Sequence, residues 1–442
     1  MNWTQIYDPL GNVFLSTACA ALPVVVLLGS LAFGHLKAHV AALLGLASAM
    51  AVAIGIFGMP PTLALATAAY GAFYGLLPIG WIVLNVIFLY TLTSEAGLFA
   101  TLRHSITAVT RDTRLQVLLV AFCFGAFFEG ASGFGTPVAI TGALLIGLGF
   151  TPLAASGLSL IANTAPVAFG ALGTPIIALQ GVTNLDLFKL SAMVGRQLPF
   201  FSLIVPFWLI WAYAGRRGMM AVWPAILVAG STFAALQFAV SNFHGPWLVD
   251  ILASIGSMTA VVLFLRVWQP SDQWTPTMMS GDAPTGLLEV PARRDVVRAW
   301  IPWLILSVVV FIWGVPQVRA ALDNISVIRI PWPALHLHVF RTPPVVAAAT
   351  AEAAIFNVNW LSATGTGIFV AAILAGLTMG RSVGELVRAY GRTLALVSTS
   401  LLTISAMMAI GFTTRYSGVD ATLGLAFAGT GMLYPFFGTM LG

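Results

Sequence analysis

Long apolar runs separated by short polar loops set the pattern of this chain. Val13 to Gly34 and Val40 to Gly58 each hold about the 20 mostly apolar residues that a helix needs to cross a bilayer. Further runs at Trp81 to Thr93, Leu115 to Phe150, Ser191 to Ala214, Met220 to Val240 and Leu248 to Leu265 continue the pattern. Ala299 to Gly314, Ile368 to Met379 and Thr393 to Gly411 extend it, and the chain closes in the run begun near Leu423. With the broken stretches included, about eleven or twelve segments are candidate spans. This pattern predicts an all-α fold, a polytopic transmembrane helical bundle. Val13 to Gly34 is too long for a signal-peptide core and is read as a retained span.

Several runs are interrupted by residues that lipid-facing sequence does not tolerate. The densest interruption spans Ala121 to Pro175. It contains Phe128-Glu129-Gly130-Ala131-Ser132-Gly133-Phe134-Gly135-Thr136-Pro137, then Asn163-Thr164-Ala165-Pro166, then Gly173-Thr174-Pro175. Hydrocarbon supplies no partner for freed backbone groups, so irregular backbone at membrane depth is expected only where protein or a polar cavity surrounds it. Thr136-Pro137 is a helix-start signal, with threonine as N-cap and proline in the first helical position. Because Gly-Thr-Pro recurs at Gly173, the same stop-and-restart is expected twice. Pro60 to Pro78, rich in Ala, Gly, Thr and Tyr, is expected to be re-entrant or packed between helices.

Composition agrees with this pattern and narrows the function. Hydrophobic residues make up 59% of the chain and charged residues 7%, against about one quarter charged in soluble domains. The net charge of +5 would suggest nucleic acid in a soluble protein. Here Lys37, the group Arg103, Arg111 and Arg114, the pair Arg216-Arg217, and Arg381, Arg388 and Arg392 sit in loops. They read as cytoplasmic orientation charges, which puts the N-terminus outside. Cys19 and Cys123 lie in apolar runs and imply neither a disulfide framework nor a zinc site. No nucleotide-binding Gly-x-x-x-x-Gly-Lys-Ser/Thr occurs, and no cofactor is expected.

A polar, proline-bearing stretch from Arg266 to Arg298 predicts three divisions. They are a transmembrane half over 1–265 with the main site motifs, a linker over 266–298, and a second, incomplete half over 299–442. Val345 to Thr366, with Glu352 and Ser362-Ala363-Thr364-Gly365-Thr366-Gly367, resembles the first-half site in texture, which suggests two repeat-related halves.

Glu129 is the first candidate functional residue. A charged group in mid-membrane costs about 2.5 to 3.5 kcal/mol on the mildest scale, and such groups tend to mark transport pathways. A carboxyl there is suited to bind and release a proton; the competing reading is a carboxylate paired for structure. Gly133, Gly135, Thr136, Asn163 and Thr164 read as unwound backbone and helix N-termini whose partial positive charge suits a substrate carboxylate. Their alternative is plain helix packing. Arg196, in Gly195-Arg196-Gln197, offers a fork of donors that matches a carboxylate. It could instead snorkel to the interface or pair with Glu129.

Gly125 to Ile140 resembles the bacterial L-lactate permease family. So do Asn163-Thr164-Ala165-Pro166-Val167-Ala168-Phe169-Gly170, Val194 to Phe200, Tyr7 to Asn12 and Trp360 to Thr366. The resemblance implies proton-coupled uptake of L-lactate, with glycolate and other 2-hydroxy monocarboxylates, across a bacterial inner membrane. The expected partners are that small anion, protons and the lipid bilayer, with no nucleic acid. Family members run on through a second Gly/Ser/Asn/Thr-rich segment beyond the point where this chain stops. The sequence reading therefore expects the 442-residue chain to insert but to transport little. Three alternatives stay open: a non-transporting membrane subunit, an inactive fragment of such a carrier, or a carrier for another organic anion. An enzyme would need paired catalytic groups or an Asp-rich loop, and neither is present.

Overall fold

The structure, a computed structural model, describes residues 2–98, 100–101, 105, 109–131, 133, 136–271 and 292–433. Among these, eight helices are long and apolar enough to cross a membrane, and the pair Pro152–Asn163 and Val167–Thr183, bent by 69°, makes a ninth if taken as one broken span. Val249–Phe264, Thr364–Thr378 and Val419–Ala428 are shorter apolar helices. The fold is an all-α polytopic bundle carrying a few short strands.

Two compact units divide the described residues. The first comprises Met1–Trp81, Asp323–Leu361 and Ala395–Gly442; the second comprises Ile82–Leu322 and Ser362–Leu394. The linker read from the sequence over 266–298 lies largely at 272–291, outside the described residues. The helices flanking it, Val249–Phe264 and Arg293–Gly314, both belong to the second unit.

In the first unit the small-residue helix Pro61–Tyr74 packs tightly on the helix Val383–Ser417. A Cβ at Gly71 would sit 2.7 Å from Ala409 Cα, and one at Gly75 would sit 2.8 Å from Ser405 Cα. Small side chains let the backbones approach this closely, which is how helices associate without a hydrophobic driving force. Tyr70, one residue away, meets Phe412 edge-on at 5.0 Å and Trp332 at 5.3 Å. Each such pair adds about 0.5 to 1.5 kcal/mol beyond burial.

Short strands complete this unit. Val327–Pro331 runs antiparallel to Ile355–Asn359, with Val327 opposite Asn359 and Pro331 opposite Ile355. Trp3–Thr4 pairs in parallel with Val339 and Phe340. Glu352 lies between two arginines, with Arg341 Nε at 2.6 Å and Arg415 Nη2 at 3.1 Å. By sequence, the arginines of Val315 to Pro344 conflict with an external loop. Part of that conflict disappears here, because Arg341 is neutralised within the fold and is not a free orientation charge.

The second unit is built around Thr113–Ala131, a helix apolar on every side and 94% buried over its membrane window. A helix that is hydrophobic all round belongs in the centre of a bundle. Phe124, Phe127 and Phe128 are fully buried and form a collar with Trp303, whose ring lies 5.2 Å from Phe127 and 5.7 Å from Phe128. Leu187–Ala221 and Trp223–Phe243 pack beside this centre, joined by the hydrogen bond from Ser202 Oγ to Gln237 Oε1 at 2.7 Å.

Candidate functional site

Thr113–Ala131 ends where the sequence turns to glycine. The Gly133 amide donates to Phe128 O at 3.3 Å, and Gly133 takes φ +56°, which closes the helix with a left-handed residue. A new helix, Thr136–Gly147, begins at the expected Thr136. Gly135 lies outside the described residues. Glu129 therefore sits on the last turn before a backbone break, 5% exposed in the bundle interior.

The second break follows the same logic with more distortion. Pro152–Asn163 ends at Asn163, and Val167–Phe169 forms a single tight turn. Ala171, Leu172 and Gly173 then take φ of 43°, 56° and 77° before the helix resumes through Thr174 and Pro175. Two consecutive non-glycine residues in the left-handed region are strained, and such strain persists only where the surroundings impose it. Here they do. A Cβ at Gly133 would lie 2.8 Å from Ala171 Cβ, and one at Gly173 would lie 2.6 Å from Pro246 Cβ. The two breaks thus touch each other, and the second also touches the loop before Val249–Phe264.

Glu129 lies where these segments meet. Asn163 hydrogen-bonds its carboxyl group, while Oε2 has no partner among the described residues. Gly170 presents its bare α-carbon to the other oxygen, and a Cβ there would collide with Glu129 Oε1. Gln237 Nε2 donates to Ala165 O at 3.3 Å, holding part of the second break to a neighbouring helix.

Of the residues picked out by sequence, Glu129, Gly133 and Asn163 are thus brought together, and Thr136 opens the helix that follows. Thr164 and Arg196 point elsewhere. The Thr164 hydroxyl is exposed and donates to Ile161 O at 2.7 Å, inside its own helix. Arg196 is exposed on Leu187–Ala221, and its Nε donates to Asn242 Oδ1 at 2.9 Å. Neighbouring Gly195 lies against Ser241, so this part of the helix faces Trp223–Phe243.

Sequence reading missed two buried polar residues. Asp250 stands at the start of the run Leu248 to Leu265, beside a turn without Lys or Arg that reads as external, yet it occupies the first turn of Val249–Phe264 at 1% exposure. Both of its carboxyl oxygens lack a hydrogen-bond partner among the described residues. Its Cβ would lie 2.7 Å from a Cβ at Gly130, and Glu129 is within electrostatic reach. Asn85 is fully buried; its amide donates to Gly365 O at 3.0 Å and its carbonyl accepts from Tyr390 at 3.1 Å. A lone asparagine in the apolar run Trp81 to Thr93 was the available signal for the second. Asp250 had none, because it borders a polar turn. Nearby His244 ends Trp223–Phe243, and burial pushes its imidazole below the ordinary value, so it is neutral at pH 7.

The comparisons with known proteins agree on one family. A family profile described as L-lactate permease matches residues 16–442. Glycolate permease GlcA of Escherichia coli (strain K12) is 44% identical over 457 residues, covering 100% of this chain and 82% of that protein. The L-lactate permease of the same strain is 44% identical over 451 residues, covering 100% of this chain and 81% of the relative. That of Bacillus subtilis (strain 168) is 40% identical over 465 residues, with 100% and 82% covered. No solved structure matches. With broken helices around a buried carboxyl and a match over nearly its whole length, this chain belongs to the L-lactate permease family, a family of transporters and not of enzymes.

Proposed function

We propose that this chain carries lactate, glycolate or a related 2-hydroxy monocarboxylate together with a proton across a bacterial inner membrane, with its N-terminus outside. Glu129 holds the coupled proton in this reading. The observation that carries it is the placement of Glu129, buried at the meeting of two helix breaks with one oxygen lacking a partner among the described residues. The names of the relatives support the substrate class. The cationic positions Lys37, Arg111 and Arg216-Arg217 support the orientation. Backbone at Gly133 and Thr136, with Asn163, forms the substrate cradle, where helix N-termini favour an anion. The deciding experiment is uptake of labelled lactate into proteoliposomes with and without an imposed pH gradient. Equal uptake in the two conditions would defeat proton coupling, and no uptake would defeat transport.

Two substitutions probe the cradle. Gly170→Ala places a methyl group on the Glu129 carboxyl, so the carboxyl or the strained turn must move. Misplacing a reacting group by an ångström can cost about 100-fold. Lactate uptake by Gly170→Ala should accordingly fall by about that factor at normal membrane levels, and wild-type rates would show that the contact is slack. Arg196→Lys keeps the charge but loses the donor fork. If Arg196 contacts the substrate, the half-saturation concentration should rise about tenfold, a loss near that of one charge-assisted hydrogen bond. Unchanged saturation leaves Arg196 as the partner of Asn242 that the geometry shows.

A further inference from the structure

Asp250 is a buried carboxyl that the transport reading does not use. It is 99% buried, taken as 100 minus its 1% exposure, and neither oxygen has a partner among the described residues. It is packed against the Gly130 backbone, one residue from Glu129, on a helix that touches the break.

The charged and titratable residues on the elements packed around it are few. Thr113–Ala131 contributes Arg114, Cys123 and Glu129. Arg114 is taken up by Asp112 at 2.6 Å near the opposite end of that helix, and Cys123 lies 3.4 Å from Ser257. Gly170–Thr183 and Trp223–Phe243 contribute none, and His244 at the end of the latter is neutral. Asp250 therefore has no cation to pair with in these helices. An ionised carboxylate without a partner is among the most costly groups to bury. Its first-turn position does favour negative charge through the helix dipole, but that effect is much the smaller of the two.

Glu129 has the complementary need. While it carries a proton, one donor from Asn163 suffices; once the proton leaves, a carboxylate with one oxygen unpartnered among the described residues remains in the bundle interior. A second donor is required there, and Asp250, packed against Gly130, brings to this region a carboxyl that has no partner among the described residues.

We propose that Asp250 stays protonated throughout transport and donates its O–H to the carboxylate that Glu129 becomes, making it a positioning residue for the coupled proton. In this step Glu129 loses one proton to water, the Asp250 proton stays on Asp250, and the pair passes from neutral to a single negative charge. The two carboxyls never ionise together. This inference rests on the transport reading and adds a role to the same site.

The test compares wild type, Glu129→Gln, Asp250→Asn and Asp250→Leu in proteoliposomes, scoring pH-driven lactate accumulation and lactate exchange at equal pH. Asparagine still donates a hydrogen bond, so Asp250→Asn should accumulate within about twofold of wild type. Leucine cannot donate, so Asp250→Leu should lose about tenfold or more of its accumulation while exchange persists. Three results overturn the proposal. Accumulation by Asp250→Asn as poor as by Glu129→Gln would make Asp250 itself the proton carrier. Wild-type accumulation by Asp250→Leu would leave it without a role. Loss of exchange in Asp250→Leu would assign it to the fold. If the wild type itself fails to accumulate lactate, it is the transport reading that has fallen.

Discussion

Glu129→Gln is expected to end the accumulation of lactate that a pH gradient drives. Glutamine keeps the shape of the side chain and can still hydrogen-bond Asn163, but it cannot titrate. One pH unit is worth about 1.4 kcal/mol per proton, so a carrier moving one proton with each lactate holds about a tenfold gradient across that difference. The variant should hold none. Exchange of labelled lactate at equal pH should continue, because exchange needs the cradle and not release of the proton. Measuring both in the same vesicles separates loss of coupling from loss of folding. Tenfold accumulation by Glu129→Gln would remove Glu129 from the coupling step.

Glu352→Ala is expected to act on stability and not on coupling. Glu352 also looks like an isolated carboxyl in sequence, yet both of its oxygens are engaged, Oε1 by Arg341 and Oε2 by Arg415. Arg415 is only 6% exposed near the end of a long apolar helix, so removing the glutamate leaves a buried guanidinium with one carboxylate fewer. Breaking a buried ion pair from one side costs about 3 to 5 kcal/mol, a large share of the 5 to 15 kcal/mol by which proteins are stable. The purified variant should melt well below wild type in detergent. Glu352→Ala combined with Arg415→Met should recover much of the loss, since the buried charge that Glu352 balances is then gone as well. A single variant that melts like wild type would mean that the other interactions of Arg415 suffice, and the pair would not be the lock it resembles. The contrast with Glu129 lies in the partners, since two arginines engage the Glu352 oxygens. An oxygen without a partner among the described residues is what sets Glu129 apart.

Much of this architecture is local in origin, and so it is legible in the sequence. Span-length apolar runs predict helices because each residue's hydropathy acts where it stands. The breaks are legible for the same reason: Gly133 alone adopts φ +56° without steric cost, and Thr136 opens the next helix where its tripeptide says it should. Gly173-Thr174-Pro175 likewise marks the restart after the left-handed turn. Glu129 stands out as a lone carboxyl in apolar surroundings. Local pattern does not reveal what each break meets. Gly133 faces Ala171, Gly173 faces Pro246, and Gly130 faces Asp250 because separate helices happen to cross at those points. Asp250 borders a polar turn in sequence, and only the packing of Val249–Phe264 shows it buried; for Arg196, the sequence leaves several partners open, and the helix places it beside Asn242. Glu352 gains its two arginines from a strand and from a distant helix. The sequence by itself determined where the chain is helical, where it breaks and which carboxyl is out of place. Tertiary structure alone decided which polar groups are partnered and which are left bare, because pairing depends on residues far apart in the chain that only packing brings within hydrogen-bond distance.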